Sequence, residues 1–377
     1  MCVSPSVSRR LPLVYHPHYS CSWPPKHRFP MSKFADLHAF LLTQPSVLAT
    51  ASWHQPELPP HAWVEAVHER EYYRAFLGSR LGDAEARRIG FREQLSRPEL
   101  IRRTRLEVGG TVLTAKLALR HGLACNLAGG THHAHAGTRA GSGFTILNDL
   151  AVAAAYVRKH EGVSRVAVVD LDVHQGDGTA TLFEGDGSVF TLSMHCGANF
   201  PFRKARSDLD IDVPSVGTAD AGYLRLLREA LPTMLRRFRP ELAPPWRRGS
   251  EPQADVLYDA GVDVWEGDGL GHLKLSHAGI WSRDRYVIET CVRSGVPIAC
   301  VIGGGYDRDP LALARRHALL HRAAARVWRG SARLSGSAPA EVPLEGLAPG
   351  RDPGRARSGI TEKKARDRVG GPRLIDA

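Results

Sequence analysis

Asp170, Asp172 and His174 stand at every second position of Asp170-Leu-Asp-Val-His174, directly behind the apolar run Val166-Ala-Val-Val169. If the run is a strand that extends through His174, the three side chains share one face. Buried there, they would be costly without a cation to pair them. A carboxylate and an imidazole two residues apart suit Zn²⁺ or a similar divalent ion. Gly176 and Gly178 permit a tight turn that returns Asp177 to the same place. A third ligand must come from another segment. Asp263, in the stretch from Ala260 to Asp268, is favoured, with Asp259 and Asp268 as alternatives. The set Asp172, His174 and Asp263 would leave a coordination position open, as a catalytic metal requires.

Two further clusters carry chemistry. Gly129-Gly-Thr-His132-His133-Ala-His135 places tandem imidazoles after a double glycine. Histidine titrates closest to neutral pH, so His132 and His133 read as a proton-transfer pair. His135 reads as a surface residue. Gly303-Gly-Gly-Tyr306 lets backbone approach a ligand closely, and the Tyr306 hydroxyl could donate to a developing oxyanion. No Lys-Ser/Thr ending follows those glycines, so a phosphate loop is disfavoured.

Positioning these clusters requires strands that end where they begin. Apolar, strand-like runs at 165–174, 188–195, 255–263 and 297–306 each finish in one of the clusters, and Leu11 to Tyr15 reads as a first strand. Helical stretches alternate with them. Asn148 caps 149–160, 219–238 is amphipathic with Pro232 as a kink or break, Ser276 caps a helix through Val292, and Asp309-Pro310 opens a helix to Trp328. Alternating strands and helices predict an α/β fold with a parallel sheet covered on both faces. Sites in such sheets form at the carboxyl ends of the strands, so the clusters should converge.

The composition agrees. The 377 residues are 43% hydrophobic and 24% charged, the balance of a globular chain. The net charge of +11 is concentrated at the two ends, and residues 36–330 carry 36 basic and 33 acidic residues, a net of +3. A nucleic-acid-binding face is not demanded. Apolar runs reach only about eight residues, against ~20 for a membrane-spanning helix. The six cysteines form no C-x-x-C pair, a pattern of reducing compartments. Residues 1–10 read as an unstructured leader, 11–330 as the catalytic domain, 240–253 as a long surface loop, and 331–377 as a disordered basic tail. The expected compartment is cytoplasmic or nuclear, and the acid-free N-terminus also fits a short organelle-targeting leader.

The motifs GGTHHA at 129–134, GSGFTILND at 141–149, DLDVHQGDG at 170–178, AGVD at 260–263 and GGGY at 303–306 resemble, in order, those of the histone deacetylase superfamily. The resemblance covers roughly residues 11–328. It is nearest to the class IV histone deacetylases and their bacterial relatives, through RRIGF at 87–91, VGGTVLTAKLAL at 108–119 and the segment 199–214. It implies a three-layer α/β/α fold of arginase/deacetylase type with a central, mostly parallel sheet. It implies hydrolysis of N-acyl-lysine, with Asp172, His174 and Asp263 holding one Zn²⁺ or Fe²⁺. His132 and His133 would flank the attacking water, oriented by Asp170 and Asp177 in turn, and Tyr306 would donate to the carbonyl oxygen. Gly143, Phe144 and Phe200 would line a narrow tunnel. A structural K⁺ would sit on Asp170, Asp172, the backbone of His174, Ser193 and the backbone of Met194. The implied partner is an acylated lysine of a protein, histone among the candidates, and the oligomeric state is left open.

Within that fold an arginase would need a second carboxylate at position 265, which is Trp265, so one metal is expected. Gln175 and Thr145 depart from the commonest family residues without removing a catalytic group. Two rival readings are an amidohydrolase of small acetylpolyamine-like molecules and a non-catalytic chromatin-binding module. Arg203, Lys204 and Arg206, if they lie near the tunnel mouth, disfavour a polycationic substrate.

Overall fold

The computed structural model describes residues 9–137, 140–238 and 254–336. The leader residues 1–8, the 240–253 loop and the tail beyond 336 lie outside the described residues. Eight strands form one sheet: β1 Leu11–Val14, β2 Ala51–His54, β3 Leu123–Asn126, β4 Arg165–Asp170, β5 Val189–His195, β6 Leu209–Asp212, β7 Ala254–Asp259 and β8 Ile298–Val301. Their spatial order is β2-β1-β3-β8-β7-β4-β5-β6, and every pairing is parallel. The strands β3, β4, β7 and β8 are buried along almost their whole length, because helices cover both faces and no polar face is needed.

The helices form two groups. Pro98–His121 packs against Asp149–His160 and on β3, while Lys33–Leu41, Asp220–Phe238, His277–Arg293 and Pro310–Gly330 pack in series as the other group. Local signals set their ends. Asn148 Oδ1 accepts from the Ala151 N–H, Ser276 Oγ from Gly279, and Asp309 Oδ1 from Leu311 and Ala312. Pro98 opens the longest helix and Gly122, at φ +88°, closes it.

Four expectations change. Asp172 and His174 do not share a strand face, since β4 ends at Asp170 and the chain bends through 172–174. Pro232 does not break its helix, which runs unbroken from Asp220 to Phe238. Three strands escape the sequence reading: β2 and β6 are partly exposed edge strands with polar residues, and β3 follows the longest helix after a single glycine. The ordered part also extends outward past residues 11 and 330. Arg10 bonds the Ala51 carbonyl, and the Arg9 N–H bonds the Ser335 carbonyl. Residues 331–336 are not the start of a structureless tail. A short helix spans Ala332–Ser335, and Leu334 is buried beside Gly122.

That boundary is testable. Truncation after Gly336 should leave the denaturation midpoint unchanged. Leu334→Ala should cost about 2–3 kcal/mol, the low end for a buried leucine. A Leu334→Ala midpoint equal to wild type would show that the 331–336 segment does not pack.

Candidate active site

The five strands whose ends carry the chemistry are consecutive in space, β3-β8-β7-β4-β5, although the chain visits them in a different order. The 127–135 segment, the 302–306 loop, the 260–268 segment, the 171–178 segment and the 196–206 loop therefore meet along one edge.

Asp172, His174 and Asp263 converge. Their ligand atoms lie within 4.8 Å of one another, and all three residues are buried. His174 Nδ1 is 3.0 Å from Asp172 Oδ1 and 3.1 Å from Asp263 Oδ2. Backbone donors aim the carboxylates: His174 N–H to Asp172 Oδ1, Gly304 N–H to Asp172 Oδ2, and Val173 N–H to Asp263 Oδ1. Burial, then the Asp172 charge, pushes Asp263 upward, whereas the His132 and His174 rings overcome burial and hold Asp172 well below the usual carboxylate range. Two such carboxylates ionise together comfortably only around a cation, so the donor set fits a divalent ion. Of the alternatives, Asp268 is no ligand of this set. It accepts from the Leu270, Gly271 and Tyr306 N–H groups and thereby fixes the Tyr306 backbone. Asp259 lies beside His132 instead.

The tandem histidines are held as a pair, with their Nε2 atoms 3.2 Å apart. His132 Nδ1 is 2.7 Å from Asp170 Oδ2, and His133 Nδ1 is 2.6 Å from Asp177 Oδ1. Their backbone is pinned by Asn148 Nδ2, which donates to the His132 and Ala134 carbonyls. The two imidazoles differ electrically. Burial opposes charge on both, but Asp170 and Asp172 lift His132 well above its ordinary value. Burial and the His132 charge lower His133 to about 4 despite Asp177. His133 is thus the neutral partner, free to accept a proton.

Phe144 and Phe200 stand at this edge. The Phe200 ring packs edge-on to His133 at 4.9 Å, and Phe144 lies 5.9 Å from Tyr306. Phe144 adopts φ +64°, an unusual conformation for a bulky residue. It is held there by its N–H bond to the Ile89 carbonyl and by stacking on Phe91. Gly143 is required between the walls, because a Cβ there would meet His133 Cδ2 at 2.6 Å and Phe200 at 3.1 Å. The ring of Tyr306 is 6.4 Å from that of His174. Burial and the neighbouring Asp263 and Asp172 raise its hydroxyl well above the usual value, which keeps it a donor. Ser193 lies opposite Asp170 in the β4–β5 register and bonds His195, and Met194 is buried beside it.

Several working residues escaped sequence analysis. Arg283 is fully buried and donates to the Leu171, Ala260 and Gly261 carbonyls, bracing the two turns that present the ligands. Its charge pairs with Asp284. The available signal was a charged pair on the apolar stripe of its helix, between Ile280 and Val287. Lys33, equally buried, donates to the Gly303 carbonyl. His135 is not a plain surface residue, since its Nε2 lies 3.3 Å from Asp177 Oδ2. Gln175 ties the 196–206 loop to the 171–178 segment through both the N–H and the carbonyl of Ala205. The ammonium of Lys204 is consumed by the Gly197, Asn199 and Pro201 carbonyls, leaving Arg203 and Arg206 as the exposed cations of that loop.

Comparison with known proteins agrees with this geometry. Residues 27–321 match the histone deacetylase domain. An uncharacterized protein of Picosynechococcus is 48% identical over 317 residues, which span 84% of this chain and 99% of that protein. Histone deacetylase 2 of Arabidopsis thaliana is 38% identical over 208 residues, 54% of this chain and 50% of that one. The acetoin utilization protein AcuC of Staphylococcus aureus is 28% identical, covering 73% of this chain and 74% of its own. Among solved structures, the HD domain of HDA15 superposes with a TM-score of 0.63 at 22% identity, over 86% of this chain and 92% of that one. The fold is the three-layer α/β/α arrangement of the arginase/deacetylase type. The chain belongs to the histone deacetylase family, a family of hydrolases. Among the described residues no helix is long and apolar enough to cross a membrane.

Gly304 tests the ligand geometry. A Cβ there would overlap Asp263 Oδ2 and Asp172 Oδ2. Gly304→Ala should therefore lower divalent-metal retention after dialysis by at least ~10-fold, the scale of a disturbed ligand shell, with the fold preserved by circular dichroism. Full retention would show that this trio does not hold the metal.

Proposed function

We propose that the protein hydrolyses the amide bond of N-acyl-lysine, with one divalent metal, Zn²⁺ or Fe²⁺, held by Asp172, His174 and Asp263. The observation that carries this reading is the meeting of a paired set of imidazoles, each on its own carboxylate, with a buried Asp-His-Asp trio, beside two aromatic rings and a tyrosine. The bound metal would supply Lewis acidity toward the acyl carbonyl and a water molecule.

The chain's own groups do the rest. Phe144 and Phe200 admit a slender alkyl chain and exclude water from its flanks. His133, neutral and oriented by Asp177, takes the proton of the attacking water and then delivers it to the departing amine. His132, held charged by Asp170, supplies fixed positive potential beside the developing negative charge. Tyr306 donates its hydroxyl hydrogen to the carbonyl oxygen as charge builds there. We assign Asp170, Asp172, the His174 carbonyl, Ser193 and the Met194 carbonyl to a monovalent cation, K⁺ by chemistry, that would stabilise the ligand turn from behind. The natural partner is then an acylated lysine of a protein.

A panel of peptides carrying lysine acylated from acetyl to long-chain tests the reading, with acetylpolyamine alongside. Turnover of acetylpolyamine alone would replace the peptide reading with a small-molecule one. The purified protein should hold about one equivalent of divalent metal, lost in Asp263→Ala, and two tight equivalents of Mn²⁺ would overturn the mononuclear site. Tyr306→Phe keeps the ring and removes one oxyanion donor. It should lower kcat by ~10²–10³ with little change in KM and unchanged metal content. Near-wild-type turnover would make Tyr306 a packing residue.

A further inference from the structure

We propose that Asp259 is a positioning residue for the reaction, a second carboxyl that acts through His132 and forms with Asp170 a two-sided seat for its Nδ1–H. This role rests on the deacylase reading above and concerns a residue outside the metal-holding trio.

Asp170 and Asp259 are the last residues of β4 and β7, and they stand directly opposite each other in that parallel pair. Burial removes the water that would otherwise solvate two carboxyls placed so close together. Asp259 is wholly buried, and neither of its carboxyl oxygens has a hydrogen-bond partner. His132 Nδ1 lies between the two carboxyls, 2.7 Å from Asp170 Oδ2 and 3.6 Å from Asp259 Oδ2. Thus Asp170 takes the direct hydrogen bond and Asp259 flanks it from the neighbouring strand.

The surrounding chain is shaped to this carboxyl. Gly130, two residues before His132, would bring a Cβ to 2.8 Å from Asp259 Oδ2, and a Cβ on Gly303 would overlap Asp259 Oδ1. The glycines of two catalytic loops therefore make room for the same side chain. The nearby acid Asp149 shows the contrast. Its carboxylate is filled by the Gly130 and Thr131 N–H groups and by the hydroxyls of Thr111 and Thr131, whereas Asp259 has His132 alone. Without Asp259, the His132 ring keeps one hydrogen bond but can tilt toward the space beneath it.

Asp259→Asn preserves size and replaces one carboxyl oxygen with an amide NH₂. It should lower kcat by ~10–100-fold, the usual value of an outer partner of a working imidazole. KM, metal content and melting temperature should stay near wild type. Combined with His132→Gln, it should add no more than about twofold, because its effect passes through that ring. Independently of turnover, the downfield Nδ1 proton resonance of His132 should shift in Asp259→Asn and not in Tyr306→Phe. Asp259→Asn with wild-type kcat, a full additional loss in the His132→Gln background, or an unmoved resonance would each overturn the proposal. Should the wild-type protein hydrolyse no acyl-lysine, the deacylase reading falls, and the proton resonance still decides the seat.

Discussion

Five aspartates, Asp149, Asp170, Asp172, Asp259 and Asp263, are buried to 3% exposure or less along one edge of a sheet. Bringing that much potential negative charge out of water is the constraint that organises the rest of the molecule. The chain answers it with oriented positive groups. Asp149, Asp172 and Asp263 receive backbone N–H donors from three separate loops. Asp170 and Asp172 face imidazoles. Asp259 is left without such a donor, and on the Asp172–His174–Asp263 trio a divalent cation would complete the balance.

The same constraint explains why the supporting structure is rigid. Carboxylates aimed by backbone N–H groups work only if the turns that supply them cannot drift. Arg283 fixes three carbonyls of the two ligand turns at once, and its own charge is held by Asp284, which also accepts from the Tyr258 hydroxyl. A buried pair of this kind contributes little net stability but strongly penalises any rearrangement that would unpair it. Asp268 likewise holds the Tyr306 backbone in register with the ligand turn. The electrical split of the histidines follows from the same geometry. Two imidazoles in contact cannot both be charged, and Asp170, Asp172 and Asp259 all lie within 3.9 Å of His132, whereas His133 bonds Asp177.

Much of the site was legible before any coordinates, because its chemistry is written in short motifs whose residue types have few other uses. Asp172, His174, His132, His133 and Tyr306 each sit in such a motif, and Asp263 was separable from Asp259 and Asp268 once the strand ends were aligned. The failures are equally physical. Asp170, Asp172 and His174 met the strand period, yet the chain bends after Asp170, and side-chain-to-backbone bonds rather than alternation bring them together. Short, half-polar edge strands such as β2 and β6 carry too little pattern to announce themselves. Leu334, one apolar side chain in a polar tail, finds a cavity that only the folded domain creates.

The sequence by itself determined the alternating α/β architecture, the convergence of the clusters on the carboxyl edge and the identity of the chemical groups, because period, capping and metal-ligand chemistry are local properties. Tertiary structure alone decided which groups touch. Strand order is set by long-range pairing that no local pattern encodes, and it placed β7 between β8 and β4. That placement brings Asp259 against His132, sets Gly304 on the Asp172 and Asp263 carboxylates, and lets an arginine on a distant helix brace both turns that carry them.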